Sequence, residues 1–239
     1  MTHFSWLSLV PGLNLLPDHT AMALVIAVVL LVLAAVARRQ LAAAPDAVIP
    51  DGTLTVRNML EIFVEKFTEL VESVVGREGR RFVPVYGTFF LFILLSNLSG
   101  LLPGFSPPTS NFNVTLGLGL CSFVLFNLYG MRQHGVWGYV AHFFGPVIFV
   151  APLMFFLEVV DVVIRPMTLG LRLMANMSAD HIVLGIFTDL TKLVIPVAFY
   201  MLGSFVCVVQ AFVFTLLSLV YVSLATGGHG EHQQHAHEG

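Results

Sequence analysis

The sequence predicts an all-α membrane protein: about five transmembrane helices, an interfacial amphipathic helix, and a last pair forming a long, steeply tilted antiparallel hairpin. Three observations carry this. Of 239 residues, 57% are hydrophobic and 10% charged, with a mean hydropathy of +0.88, whereas a soluble domain carries about 25% charge. Several uncharged runs reach the roughly 20 residues that cross a bilayer. The last run, 193–226, holds no charge over thirty-four residues.

The same figures exclude other classes. A formal charge of −3 leaves no basic surface for nucleic acid. Cys121 and Cys207 lie in apolar runs without zinc spacing or a disulfide framework, so both read as buried small hydrophobes. No metal site is expected. The N-terminal stretch lacks a basic n-region and a clear cleavage site and reads as mature sequence.

The first span is 20–37, stopped by Arg38 and Arg39. The positive-inside rule makes that end cytoplasmic and the N-terminus external. In 53–76, Met59, Phe63, Phe67, Leu70, Val71 and Val74 recur at helical spacing while Glu61, Glu65, Glu69 and Glu72 hold another face. That helix is too charged to span and lies on the membrane surface or docks on protein. Arg77, Arg80 and Arg81 mark the cytoplasmic start of the second span, 82–102; the third, 113–131, returns to Arg132. Helical patterns then cover 146–188 and 193–226, broken by "TDLTK". Thirty-four helical residues measure about 51 Å against a hydrocarbon core of about 30 Å, so these helices tilt, bend or emerge. Pro166 and Gly170 are bend points. Five crossings leave the C-terminus cytoplasmic. The tail, 227–239, is histidine-rich and reads as a disordered end. The single integral membrane domain contains no evident internal repeat.

The chemistry gathers in the first helix of the hairpin. Asp161, Arg165, Thr168, Arg172, Asn176 and Asp180 follow at steps of three or four, with Glu158 extending the row. One face of a membrane helix is therefore polar. It must meet protein or water, because charge against lipid costs several kcal/mol. Arg172 stays protonated under accessible conditions. A hairpin turning near 189–192 pairs residues about position 191, which sets Arg172 opposite Gln210, the one amide of the last run. The Gln210 carbonyl would then accept from the guanidinium, and Asp180 would face Leu202 and Gly203. Structural readings stand beside these. Asp161 and Arg165 form an i,i+4 ion pair, or Arg165 snorkels. Asn176 is helix–helix glue or a functional amide. Asp180 and His181 are a hydrogen-bonded structural pair or proton-handling groups. Glu158 is an interfacial anchor or the inner end of the stripe.

At these residues the chain resembles subunit a of the bacterial and plastid-type F-type ATP synthase, the stator of its membrane sector. The resemblance rests on "LGLRLMANMSADH", "VQAFVFTLLSLVY", "LEVVDVVIRPMTLGLR", "LSNLSGLLPG" and "NVTL", over roughly 85–225. It implies that Arg172 corresponds to the family's essential arginine, facing a ring of c subunits that each carry one membrane-buried carboxyl. Two aqueous half-channels would reach the ring on either side of Arg172. Gln210 matches the family's arginine-positioning glutamine and Asn176 its asparagine. Glu158 matches a cytoplasmic-side glutamate, and Thr168 stands where a small hydroxyl residue is common. The position after Asp180 often holds glutamate where this chain has His181. Gly203 replaces the histidine or glutamate of some members, so the outer half-channel has its own titratable set. Implied partners are the c-ring, b-type peripheral stalk subunits, the remaining synthase subunits and lipid, in a bacterial inner membrane, with no cofactor. The chain would be a non-catalytic subunit performing no bond chemistry. The rival reading is a stand-alone secondary transporter or channel with its substrate at Arg172.

Overall fold

The structure, a computed structural model, describes residues 16–43, 55–102, 105–142, 151–190 and 194–227. Every regular element among them is helical: α1 (Asp18–Ala43), α2 (Val56–Val75), α3 (Val83–Ser99), α4 (Phe112–His142), α5 (Ala151–Leu190) and α6 (Val194–Gly227). A 3-10 segment, Arg77–Phe82, leads into α3, and a 3-10 turn, Pro108–Ser110, precedes α4. The histidine-rich tail beyond Gly227 lies outside the described residues.

Stretches within Asp18–Ala42, Arg77–Ser99, Phe112–Gln133 and Val197–Thr226 are each long and apolar enough to cross a membrane. α5, at 40 residues, is longer than any of these, about 60 Å of helix. Its charged stripe sets it apart from them. α4 continues to His142, past the expected end at 131, because Gly135 takes φ 71° and joins a second helical piece across a kink.

α2, which is not one of these four stretches, docks on protein. Thr55 caps it by accepting from the Asn58 amide at 3.4 Å. The buried Arg57 donates its Nε to Glu61 at 2.6 Å, and its backbone N–H donates to Gln40 Oε1 at 3.0 Å, tying α2 to the end of α1. Glu65 and Glu69 are exposed, Glu69 binding Lys66 at 2.9 Å, and the half-buried Glu72 binds Arg80. The Glu69 hydrogen bond and charge hold the Lys66 ammonium above its ordinary pKa.

The core runs as three stacked clusters. At the basic end, Phe67 and Val71 of α2 pack with Phe82, Tyr86, Phe126, Leu219 and Val222. Midway, Ile93, Leu169, Leu173, Ala211 and Phe214 join α3, α5 and α6. Met22 and Ile26 meet Phe92, Leu95 and Phe105 toward the far end. α4 and α5 approach backbone to backbone. A Cβ on Gly119 would sit 2.5 Å from the Pro166 carbonyl oxygen, and one on Gly170 would sit 3.0 Å from the Thr115 oxygen. Small residues permit such contact where lipid provides no hydrophobic drive between helices. Pro166 is thus held by its neighbour's glycine as well as by its own ring.

Cys207 is buried as expected, but Cys121 is exposed, on the outer face of α4. Apolar and small, it needs no protein cover in a membrane.

Candidate functional site

α5 and α6 pack antiparallel. Phe187 stacks on Phe199 with ring centroids 4.4 Å apart, Asn176 meets Gln210, and the Arg165 guanidinium lies 5.1 Å from the Tyr221 ring centroid. Each pair is centred on position 193 and each step between pairs is eleven residues. Eleven residues make three helical turns, so one line of contact runs down the hairpin. The expected centre, 191, is therefore two residues off.

That shift reassigns Gln210. Its Oε1 accepts from Asn176 Nδ2 at 2.7 Å rather than from Arg172. Gln210 is 6% exposed and Asn176 half-buried, so the bond closes the seam between the helices. The Gln210 Nε2 is buried with no acceptor among the described residues. Asn176 lies one turn beyond Arg172, which places the amide pair beside the arginine without a bond to it.

Arg172 is exposed. Its neighbour Leu173 is fully buried in the middle core cluster, so Arg172 stands midway along the bundle and points away from it. Among the described residues no hydrogen bond or ion pair engages its guanidinium. Arg165, two turns earlier, is in the opposite situation: Asp161 pairs with it and Tyr221 covers it. The i,i+4 pair expected from the spacing is formed. Thr168 lies between them, exposed, its hydroxyl donating to the Ile164 carbonyl at 2.8 Å. Glu158 is half-buried toward the start of α5.

Toward the far end Asp180, His181, Leu202 and Gly203 line one cavity with Gly100 and Met177, about 20 Å³ in volume. That is room for one water. The cavity joins Asp180 to Gly203, as the sequence spacing implied. One Asp180 carboxylate oxygen is buried without a partner among the described residues. His181 is on the exposed side of the helix and adjoins the same space.

Buried polar groups from α3, the Pro108–Ser110 turn, α4 and α6 were not among the candidates read from the sequence. Thr109 donates to Asn97 Oδ1 at 2.7 Å, both residues fully buried, and Asn97 Nδ2 and Ser96 Oγ lack partners among the described residues. Ser122 donates to Ser218 at 2.9 Å beneath them. Their signal in the sequence was present but faint: "LSNLSG" places an amide and two hydroxyls in an otherwise apolar span.

A family profile described as ATP synthase A chain matches residues 20–223. The protein named ATP synthase subunit a in Bdellovibrio bacteriovorus is 43% identical over 222 residues, 93% of this chain and 97% of that one. Its namesake in Sorangium cellulosum is 44% identical over 206 residues, 86% of this chain and 80% of that one. In Geobacter sulfurreducens the protein so named is 37% identical over 205 residues, 86% of each chain. With several helices fit to span a membrane and this similarity over nearly its whole length, the chain belongs to the ATP synthase A-chain family and is a multi-pass membrane subunit of an ATP synthase.

Proposed function

We propose that the chain is the proton-conducting stator of a rotary ATP synthase, with Arg172 as the fixed cation that separates two half-channels. One observation supports the reading: among the described residues Arg172 is an exposed, unpaired cation midway along the hairpin, while the other arginine of the stripe is already neutralised by Asp161. A surface with one uncompensated positive charge fits a passing ring of carboxyl groups. A fixed cation close by lowers an acid's pKa by about 1–3 units, so a rotor carboxyl reaching Arg172 releases its proton. The carboxylate must be reprotonated before it turns into lipid, where an unpaired charge is expensive. Arg172 also repels protons, which keeps the two aqueous paths from joining.

The supporting parts follow from the same geometry. The Asn176–Gln210 bond fixes α5 against α6 next to Arg172, so Gln210 positions the arginine through the helix seam. The cavity of Asp180, His181 and Gly203 is the outer path, and Glu158 with the exposed Thr168 belongs to the inner one. The c-ring lies against the outer face of α5 and α6. Peripheral stalk subunits hold the chain still in a bacterial inner membrane, with the N-terminus outside and the C-terminus in the cytoplasm.

The test is Arg172→Ala in the intact complex. ATP synthesis driven by an imposed proton gradient in inverted vesicles is expected to fall to background. Arg172→Lys is expected to retain little, because an ammonium desolvated against the ring loses its proton where a guanidinium does not. Normal synthesis by Arg172→Ala would overturn the assignment.

A further inference from the structure

We infer that the basic end of the bundle holds a phosphate group, that of an anionic phospholipid headgroup, in the cavity between the end of α2, the Arg77–Phe82 segment, α4 and α6. This site is separate from the stripe of α5 and does not depend on the stator reading.

The cavity measures about 250 Å³, and Arg77, Arg81, Gln133, Ser223 and Thr226 line it together with Glu78. A single water needs only roughly 10–15 Å³, so the space suits a headgroup. Gly76 opens it. This residue ends α2 at φ 85°, and a Cβ there would meet nothing within 4 Å. The chain therefore turns away from α2 and leaves a hollow before the next segment begins.

The donors are preset. Arg81 Nη2 donates to Gln133 Oε1 at 2.8 Å, and its guanidinium lies 4.8 Å from the centroid of the fully buried Phe82 ring. Held at two points, it presents its remaining N–H groups as a fixed fork, the geometry that suits phosphate. Glu72 draws Arg80 elsewhere. Arg77 has no ion-pair partner among the described residues, and the Ser223 hydroxyl makes no hydrogen bond there. Two guanidinium groups against one carboxylate leave a net positive site.

Placement favours lipid over free phosphate. Arg77, Arg80, Arg81 and Arg132 gather at this end, which the positive-inside rule makes cytoplasmic. Basic pockets between membrane helices on that side suit anionic headgroups. Leu224, next to Ser223, is 62% exposed and supplies apolar surface on which an acyl chain can run.

The experiment uses the purified, delipidated ATP synthase complex, titrated with short-chain phosphatidylglycerol, phosphatidylcholine or inorganic phosphate. Native mass spectrometry counts what remains on this subunit. Phosphatidylglycerol is expected to bind and phosphatidylcholine to be lost. Arg77→Gln and Arg81→Gln are each expected to weaken binding about fivefold. Glu78→Gln is expected to tighten it, a change of sign that misfolding would not produce. Arg39→Gln, at the end of α1, is the control and is expected to leave binding unchanged. Equal retention in Arg77→Gln and Glu78→Gln, or equal retention of both lipids, would overturn the site. Inorganic phosphate binding as tightly as phosphatidylglycerol would overturn the lipid assignment. A protein crosslink from Ser223→Cys in the intact complex, with no lipid retained, would do the same.

Discussion

Gln210 is buried with one side of its amide engaged and the other empty. Its oxygen accepts from Asn176, so Arg172, which has only donors, has nothing to offer the orphaned nitrogen. The empty donor needs water or an acceptor from outside the described residues. Removing Asn176 would orphan the oxygen as well. Asn176→Ala and Gln210→Ala are each expected to destabilise the subunit by about 1–3 kcal/mol. The double variant is expected to lose less than the sum, by about 0.5 kcal/mol or more. Thermal unfolding of the intact complex measures this, and strict additivity would dissolve the pair. At the far end a leucine at 203 would fill the small cavity, since even a Cβ there would lie 3.1 Å from Leu101 Cδ2. Gly203→Leu is expected to cut proton-driven synthesis several-fold with Arg172 untouched; an unchanged rate would remove that cavity from the outer path. The two amides were legible in the sequence, because polar residues in long apolar runs are costly and conspicuous. Their mutual bond was not, since it depends on a register that residue identity alone does not fix.

The helices themselves were legible, since long uncharged runs and the amphipathic spacing of α2 leave few alternatives. The hairpin register centres on 193 and not on 191, because the polar connector at 189–192 does not set it. Packing sets it instead, through Phe187 on Phe199 and Asn176 on Gln210. Paired cysteines at 176 and 210 are expected to crosslink in the membrane faster than those at 172 and 210; the reverse order would restore the earlier register. The α4–α5 contact also could not be read from pattern, because a glycine in a span has several uses. Structure gives Gly119 one. Gly119→Ala presses a methyl against the Pro166 carbonyl and is expected to cost about 1–3 kcal/mol of stability. Gly117→Ala meets nothing within 4 Å and is expected to be neutral or to gain up to about 1 kcal/mol in helix propensity. Comparing the unfolding temperatures of the two variants checks the pair.

The whole molecule leaves a broad face uncovered. Phe156, Ile182, Met201 and Phe205 are each more than 60% exposed along α5 and α6. Lipid covers such a surface, and so does a rotor. Amide hydrogen exchange along 168–179 is expected to quicken when the c-ring is stripped from the complex, while exchange in α3 stays slow. Equal exchange with and without the ring would place the rotor elsewhere. Composition announced that apolar surface would be abundant, but not which part of it meets protein. The three contacts of the hairpin, each eleven residues from the next, carry a last consequence. Insert one residue into α5 between two of them, and everything beyond rotates by about 100°, taking Asn176 off Gln210 or Arg165 off Tyr221. Only whole three-turn blocks keep the seam in phase. Gene variants of this subunit are therefore free to grow or shrink in their loops and ends, the hairpin connector included, while the helical stretches 165–187 and 199–221 tolerate substitution far more readily than any change of length.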